Sequence, residues 1–151
     1  MHHLATKPTA NARSRKRRGN VLIELSLICP WVLFLFVGIV DLGFFSYALI
    51  AVENATRIAA EYTSSSTLTA ADQSGACTKV LAELQNLPNV SSLTSCGATP
   101  LTVTVTSGNG PDGNAASTVS VTYQSISMIP IPGILQNQLN VTRIAQMRVK
   151  P

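Results

Sequence analysis

Glu24 is the residue whose chemistry most needs a reason. It is the one charged side chain in the run VLIELSLICPWVLFLFVGIV (21–40). A carboxylate held in hydrocarbon costs several kcal/mol unless a cation pairs with it, so an acid here points to ion-pair chemistry with a partner. Asp41, seventeen residues further on, is the next acid along the same stretch. Cys77 and Cys96, with eighteen residues between them, could form a disulfide if their part of the chain is exported; two unpaired thiols are the alternative. Such a loop would stabilise by roughly 3 kcal/mol through chain entropy. Cys29 lies in the apolar run and reads as a small packing residue. The usual signatures of catalysis are missing. His2 and His3 are the only histidines, no Cys/His set has zinc spacing, and there is no phosphate-binding glycine loop, nucleophile elbow or HExxH. Asp72, Glu83 and Asp112 are scattered on polar segments and read as solvated surface acids. GNGPDGN (108–114) has a single carboxylate and reads as a turn, not a calcium loop. The sequons at Asn54, Asn89 and Asn140 matter only in a glycosylating compartment. Neither an enzyme nor a cofactor or metal site is expected.

The charges are unevenly placed. Lys7, Arg13, Arg15, Lys16, Arg17 and Arg18 are six of the eleven basic residues, and no acid precedes Gly19. From Asn20 onward five basic residues face seven acids, a formal charge of −2. A basic tail can bind phosphates. Beside an apolar run it reads instead as a topology signal that keeps the N-terminus cytoplasmic, so no nucleic-acid partner is expected. As a helix, residues 21–47 would span about 39 Å, enough to cross a lipid bilayer of roughly 30 Å hydrocarbon thickness. The rival, a cleaved secretory signal, has an apolar core of about 7–15 residues followed by a small-residue site. This run is longer, and DLGFFSYALIAVENA offers no clean site. Pro30 inside it is tolerable in a membrane helix.

The helical pattern continues past the apolar run. Ala48, Val52, Ala55, Ala59 and Tyr62 recur at spacings of three or four, and Glu53 and Arg57 stand at i, i+4. One helix from about 21 to 62 is expected, with 21–47 in lipid. The polar break TSSSTLTAADQSG (63–75) opens a head over 63–151. Ala76, Val80, Leu81, Leu84 and Leu87 form the apolar face of a short helix that Pro88 ends. LTVTVTS (101–107) and STVSVTYQSISM (117–128) alternate as strands around a turn-rich loop. MIPIPGI (128–134) reads as a loop, and LNVTRIAQMRV (139–149) as a third strand with Leu139, Val141, Ala145, Met147 and Val149 inward. The expected class is α+β: a long N-terminal transmembrane helix with a small head of one short helix and a three-stranded antiparallel sheet.

The ordered set Arg18-Gly19, Glu24, Pro30, Gly38-Ile39-Val40-Asp41-Leu42-Gly43, Tyr47 and Ala55-x-Arg57-x-Ala59-Ala60 resembles the TadE-like family of minor pseudopilins, of the tight-adherence (Tad, Flp) pilus system. The leader, with an acid five residues after its closing glycine, is similar to the class III signal of type IV pilins. The resemblance covers roughly residues 18–62; Leu25 departs from the aromatic that often follows the acid, and the head has no matching motif.

The resemblance implies a prepilin peptidase cutting between Gly19 and Asn20, where a residue without Cβ lets the backbone enter a narrow cleft. Residues 1–19 would be the cleaved cytoplasmic leader. Glu24 would then pair with the new Asn20 ammonium of a neighbouring subunit, or with its own. Asp41, about 25 Å along the helix from Glu24, would be a helix-boundary anchor or a partner contact. The implied partners are the peptidase, other pilin or pseudopilin subunits and the inner-membrane assembly platform. The implied location is the bacterial inner membrane, with a periplasmic head that either enters an extracellular pilus used for adhesion or stays at the inner-membrane platform. The alternative is an uncleaved single-pass membrane protein whose β-rich head is a binding module.

Overall fold

A computed structural model describes residues 11–126 and 138–151, with side chains given from Val21 onward. The expected loop at 128–134 and the residues before Asn11, including Lys7, lie outside the described residues. Helix α1 runs Asn11–Thr63 and contains Pro30. Its C-terminal end falls within one residue of expectation. Its N-terminal end lies ten residues earlier than the expected 21, because Ala, Arg and Lys in the basic segment are good helix formers and the helix carries on through the weaker formers Gly19 and Asn20.

The backbone divides into two compact units, Met1–Val40 and Asp41–Pro151, described separately. In the first, the described residues are helical, and large apolar side chains from Val21 to Phe36 are solvent-facing in the isolated chain. Ser26 donates its hydroxyl to the Ile23 carbonyl at 2.8 Å. This back-bonding removes a free polar hydrogen that would be costly in an apolar medium.

In the second unit Ala48, Val52, Ala55 and Ala59 of the expected α1 stripe are all fully buried, while Tyr62 at its end is half-buried. The buried residues of the stripe share one core with Ala76, Val80 and Leu84 of α2 (Gln73–Leu84) and with the sheet. Leu81 is only partly buried, and Leu87 is buried from a turn beyond the helix. The antiparallel sheet has four strands rather than three, in the order β1 (Gly97–Ala98), β2 (Leu101–Asn109), β3 (Ala115–Gln124) and β4 (Asn140–Arg148). The added β1 has only two residues, too few to show alternation. It is placed by a tight return onto β2, pairing Gly97 with Thr102 and Ala98 with Leu101. The inward faces are Leu101 and Val103 of β2 and Val119, Val121 and Tyr123 of β3. The threonines 102, 104 and 106 point outward, as the period-two pattern requires.

The β2–β3 hairpin closes through Gly113 at φ +76°, a backbone region that favours glycine. Asp112 there accepts from the Asn114 side chain at 2.7 Å. On β4, Val141 is buried, with Ala145 and Met147 partly so, but Leu139 precedes the strand and is exposed, contrary to expectation. Arg143 falls on the same inward parity. It reaches Glu53 across the unit at 3.9 Å, the one ion pair among the described residues, so the expected partner of Glu53, Arg57, is not the observed one.

Two polar anchors hold the end of α1 to the sheet. The buried Ser117 hydroxyl lies 2.9 Å from both Thr63 Oγ1 and the Ala70 carbonyl. The Lys150 amide donates to the Ser64 carbonyl at 2.9 Å.

Candidate processing and assembly segment

Gly19, Asn20 and Glu24 all lie within the helical backbone of the first unit. The Glu24 side chain is exposed in the isolated chain, and among the described residues it makes no ion pair. The unpaired Glu24 carboxylate stands amid Leu22, Ile23, Leu25 and Leu27, all exposed, and a charge there is costly in a bilayer unless a cation pairs with it. The helix is long and apolar enough to cross a membrane, and none of its apolar window is buried inside the chain. A Cβ added at Gly38 would meet nothing within 4 Å, so that glycine leaves its helix face open. Cys29 is a free, exposed thiol.

In the second unit Asp41 is half-buried within α1 and makes no ion pair among the described residues. A Cβ at Gly43 would also meet nothing. Ser46 donates to the Leu42 carbonyl at 2.9 Å.

Cys77 and Cys96 are joined by a disulfide, with Cα atoms 5.7 Å apart. The bond ties α2 to the residue just before β1, whose Cys96 carbonyl accepts from the Val103 amide at 3.0 Å. It therefore pins the edge strand that period-two reasoning could not see.

Asp72 is not the plain surface acid that its polar segment implies. It caps α2: Oδ1 accepts from the Gly75 amide at 3.0 Å and Oδ2 from the Tyr62 hydroxyl at 2.7 Å. The Gly75 N–H and then the Tyr62 hydroxyl hold the Asp72 carboxyl below its usual range. The same bond holds the Tyr62 phenol above its own. A Cβ at Gly75 would collide with the Tyr62 hydroxyl and the Asp72 carboxylate, so a larger residue there must displace the side chains that make the cap. The signal was legible as Asp-x-x-Gly before an apolar helix face, an N-cap pattern. Glu83 and Asp112 are exposed, and each accepts from a neighbouring asparagine, Asn54 and Asn114. A shallow groove of about 620 Å³ is lined by Glu53, Arg57, Arg143 and Met147 among others. Among the described residues no set of three His, Cys, Asp or Glu side chains converges to hold a metal.

The first unit offers an acid without an ion-pair partner among the described residues in an apolar helix, and the second a disulfide-pinned head. Residues 19–61 match the family model described as TadE-like protein. No curated protein and no solved structure matches the chain.

Proposed function

We propose that this chain, whose residues 19–61 match the TadE-like family model, is a minor pseudopilin of a Tad pilus system, cut after Gly19 and assembled through Glu24. The observation that carries the reading is where the family match begins. It opens on Gly19, the residue before the proposed cut, takes in Glu24, and closes at Glu61, two residues before α1 ends. In this reading residues 1–19 are a cytoplasmic leader, 20–62 the long helix with 21–47 in the inner membrane, and 63–151 a periplasmic head. The disulfide supports export of the head, because such bonds persist in oxidising compartments.

Cleavage by a prepilin peptidase removes the leader cations that hold the N-terminus inside and creates an ammonium at Asn20. Glu24 in lipid then gains from pairing with that ammonium on a neighbouring pilin subunit at the assembly platform. The cost of the bare carboxylate favours leaving the bilayer for a helical bundle. The role is structural, not catalytic; it supports the adhesive pilus without performing chemistry. Asp41 acts as the boundary anchor of the membrane segment. The test is Glu24→Ala in cells carrying the full pilus system: cutting after Gly19 continues, while piliation is lost. Normal piliation in that variant refutes the assembly role.

A further inference from the structure

We infer that the leader is cut only after α1 unwinds from its N-terminal end as far as Asn20, and that the lipid boundary stops the unwinding there. The inference rests on the processing proposed above. Helix α1 begins at Asn11, so the Gly19–Asn20 peptide bond lies inside it. In an α-helix the Gly19 carbonyl accepts from the amide of residue 23, and the Asn20 amide donates to the carbonyl of residue 16. Hydrolysis places the oxygen of water on the Gly19 carbonyl carbon and breaks its bond to the Asn20 nitrogen. The products are a Gly19 carboxylate and an Asn20 ammonium. Both atoms of the scissile bond are engaged while the helix is intact, so those hydrogen bonds must open first.

The two sides of the bond differ in how readily they open. On the leader side only Asn11–Arg18 precede the bond, and the ends of helices fray. The first turn of α1 has no acid, and the sequence there carries only basic charges, which are unfavourable in the first turn of a helix. Gly19 and Asn20 are themselves weak helix formers. On the other side Val21 begins the apolar run: unwinding to Asn20 frees only the amides of the new first turn, as at any helix N-terminus, whereas unwinding further would also free carbonyls where there is no water. Fraying therefore travels readily to Gly19–Asn20 and stops. Backbone stability, together with the glycine, selects the bond.

The test uses the full chain in lipid vesicles with purified prepilin peptidase at limiting concentration, read as kcat/KM for release of residues 1–19. Two pairs of variants change helix propensity without touching the scissile residues: Ser14→Gly against Ser14→Ala, and Arg17→Gly against Arg17→Ala. Within each pair the charge is the same. The Gly–Ala difference in helix propensity, about 1 kcal/mol, corresponds to about fivefold in the unwound population. Each glycine variant is expected to be cut about fivefold faster than its alanine counterpart. Equal rates within the pairs, with wild type still cut after Gly19, overturn the unwinding step and leave the processing reading in place. A difference confined to Arg17 also overturns it, since that marks a subsite preference of the peptidase. A wild-type chain that is not cut after Gly19 removes the processing reading and this inference together.

Discussion

Removing the Cys77–Cys96 bond should lower the melting temperature of the head by about 12 °C. The bond closes a loop with a sequence separation of 19. In the chain-entropy account a closed loop of that size stabilises by about 3 kcal/mol, by restricting the unfolded chain. A domain of about a hundred residues shifts by roughly 4 °C per kcal/mol. The structure adds a local consequence. Cys96 is buried and its carbonyl holds the Val103 amide, so loosening it also loosens β1 at the sheet edge. The assay is thermal unfolding of the detergent-solubilised full chain, followed by the circular-dichroism signal of the sheet. Wild type with and without reductant is compared with the Cys77→Ala/Cys96→Ala variant. Reduced wild type and the double variant should melt within a few degrees of each other, both well below oxidised wild type, and the variant should ignore reductant. If reductant leaves wild type unmoved while labelling reports both thiols free, the loop contributes nothing and the reasoning fails.

Three further outcomes follow from the same contacts. Gly75→Ala should destabilise the head by about 1–3 kcal/mol, the usual cost of forcing a methyl into a filled site, because its Cβ meets Tyr62 and Asp72; an unchanged melting temperature contradicts that packing. The Asp72 carboxyl is held low by the Gly75 amide and the Tyr62 hydroxyl. Its stabilisation is therefore present above the unfolded value of about 4 and lost as pH falls through the lower folded value. The Tyr62 phenol is held high by the same bond, so its share is present below about pH 10 and lost as pH rises through the higher folded value. Asp72→Asn should flatten the acid limb of a stability-versus-pH profile, and a profile identical to wild type argues against the cap. Ser117→Ala leaves the buried Thr63 hydroxyl and Ala70 carbonyl short of a partner and should cost about 1–3 kcal/mol, measured by the same melt.

The elements with strong periodicity were legible from residue types. Ala48, Val52, Ala55 and Ala59 mark the buried stripe of α1, and the Val/Thr alternation of β2 and β3 sets which face is inside, because burial of one face dictates those periods. What escaped was carried by single contacts across the chain. The two residues of β1 have no period to read, and their strand exists because Cys96 is bonded to Cys77 and returns onto β2. Glu53 had a well-spaced local partner in Arg57, yet the inward parity of β4 brings Arg143 to it instead. Leu139 looked like core by alternation, but the strand starts one residue later. Asp72 showed its role only through a capping pattern that polar neighbours obscured. Of the proposed processing and assembly segment, Glu24 stands out in the sequence as an acid in an apolar run, whereas Gly19 and Asn20 enter through the resemblance to the pilin signal. That the helix continues through both was not legible, since Gly-Asn after a charged run reads as a break.

The proposed maturation is a single cut before Asn20. Its most direct test is the N-terminal sequence and intact mass of the protein recovered from membranes of cells that carry the prepilin peptidase. The account predicts a chain that begins at Asn20 and lacks residues 1–19, with the full-length form accumulating when the peptidase is deleted. A chain that begins at Met1, or anywhere other than Asn20, in cells with an active peptidase would contradict it.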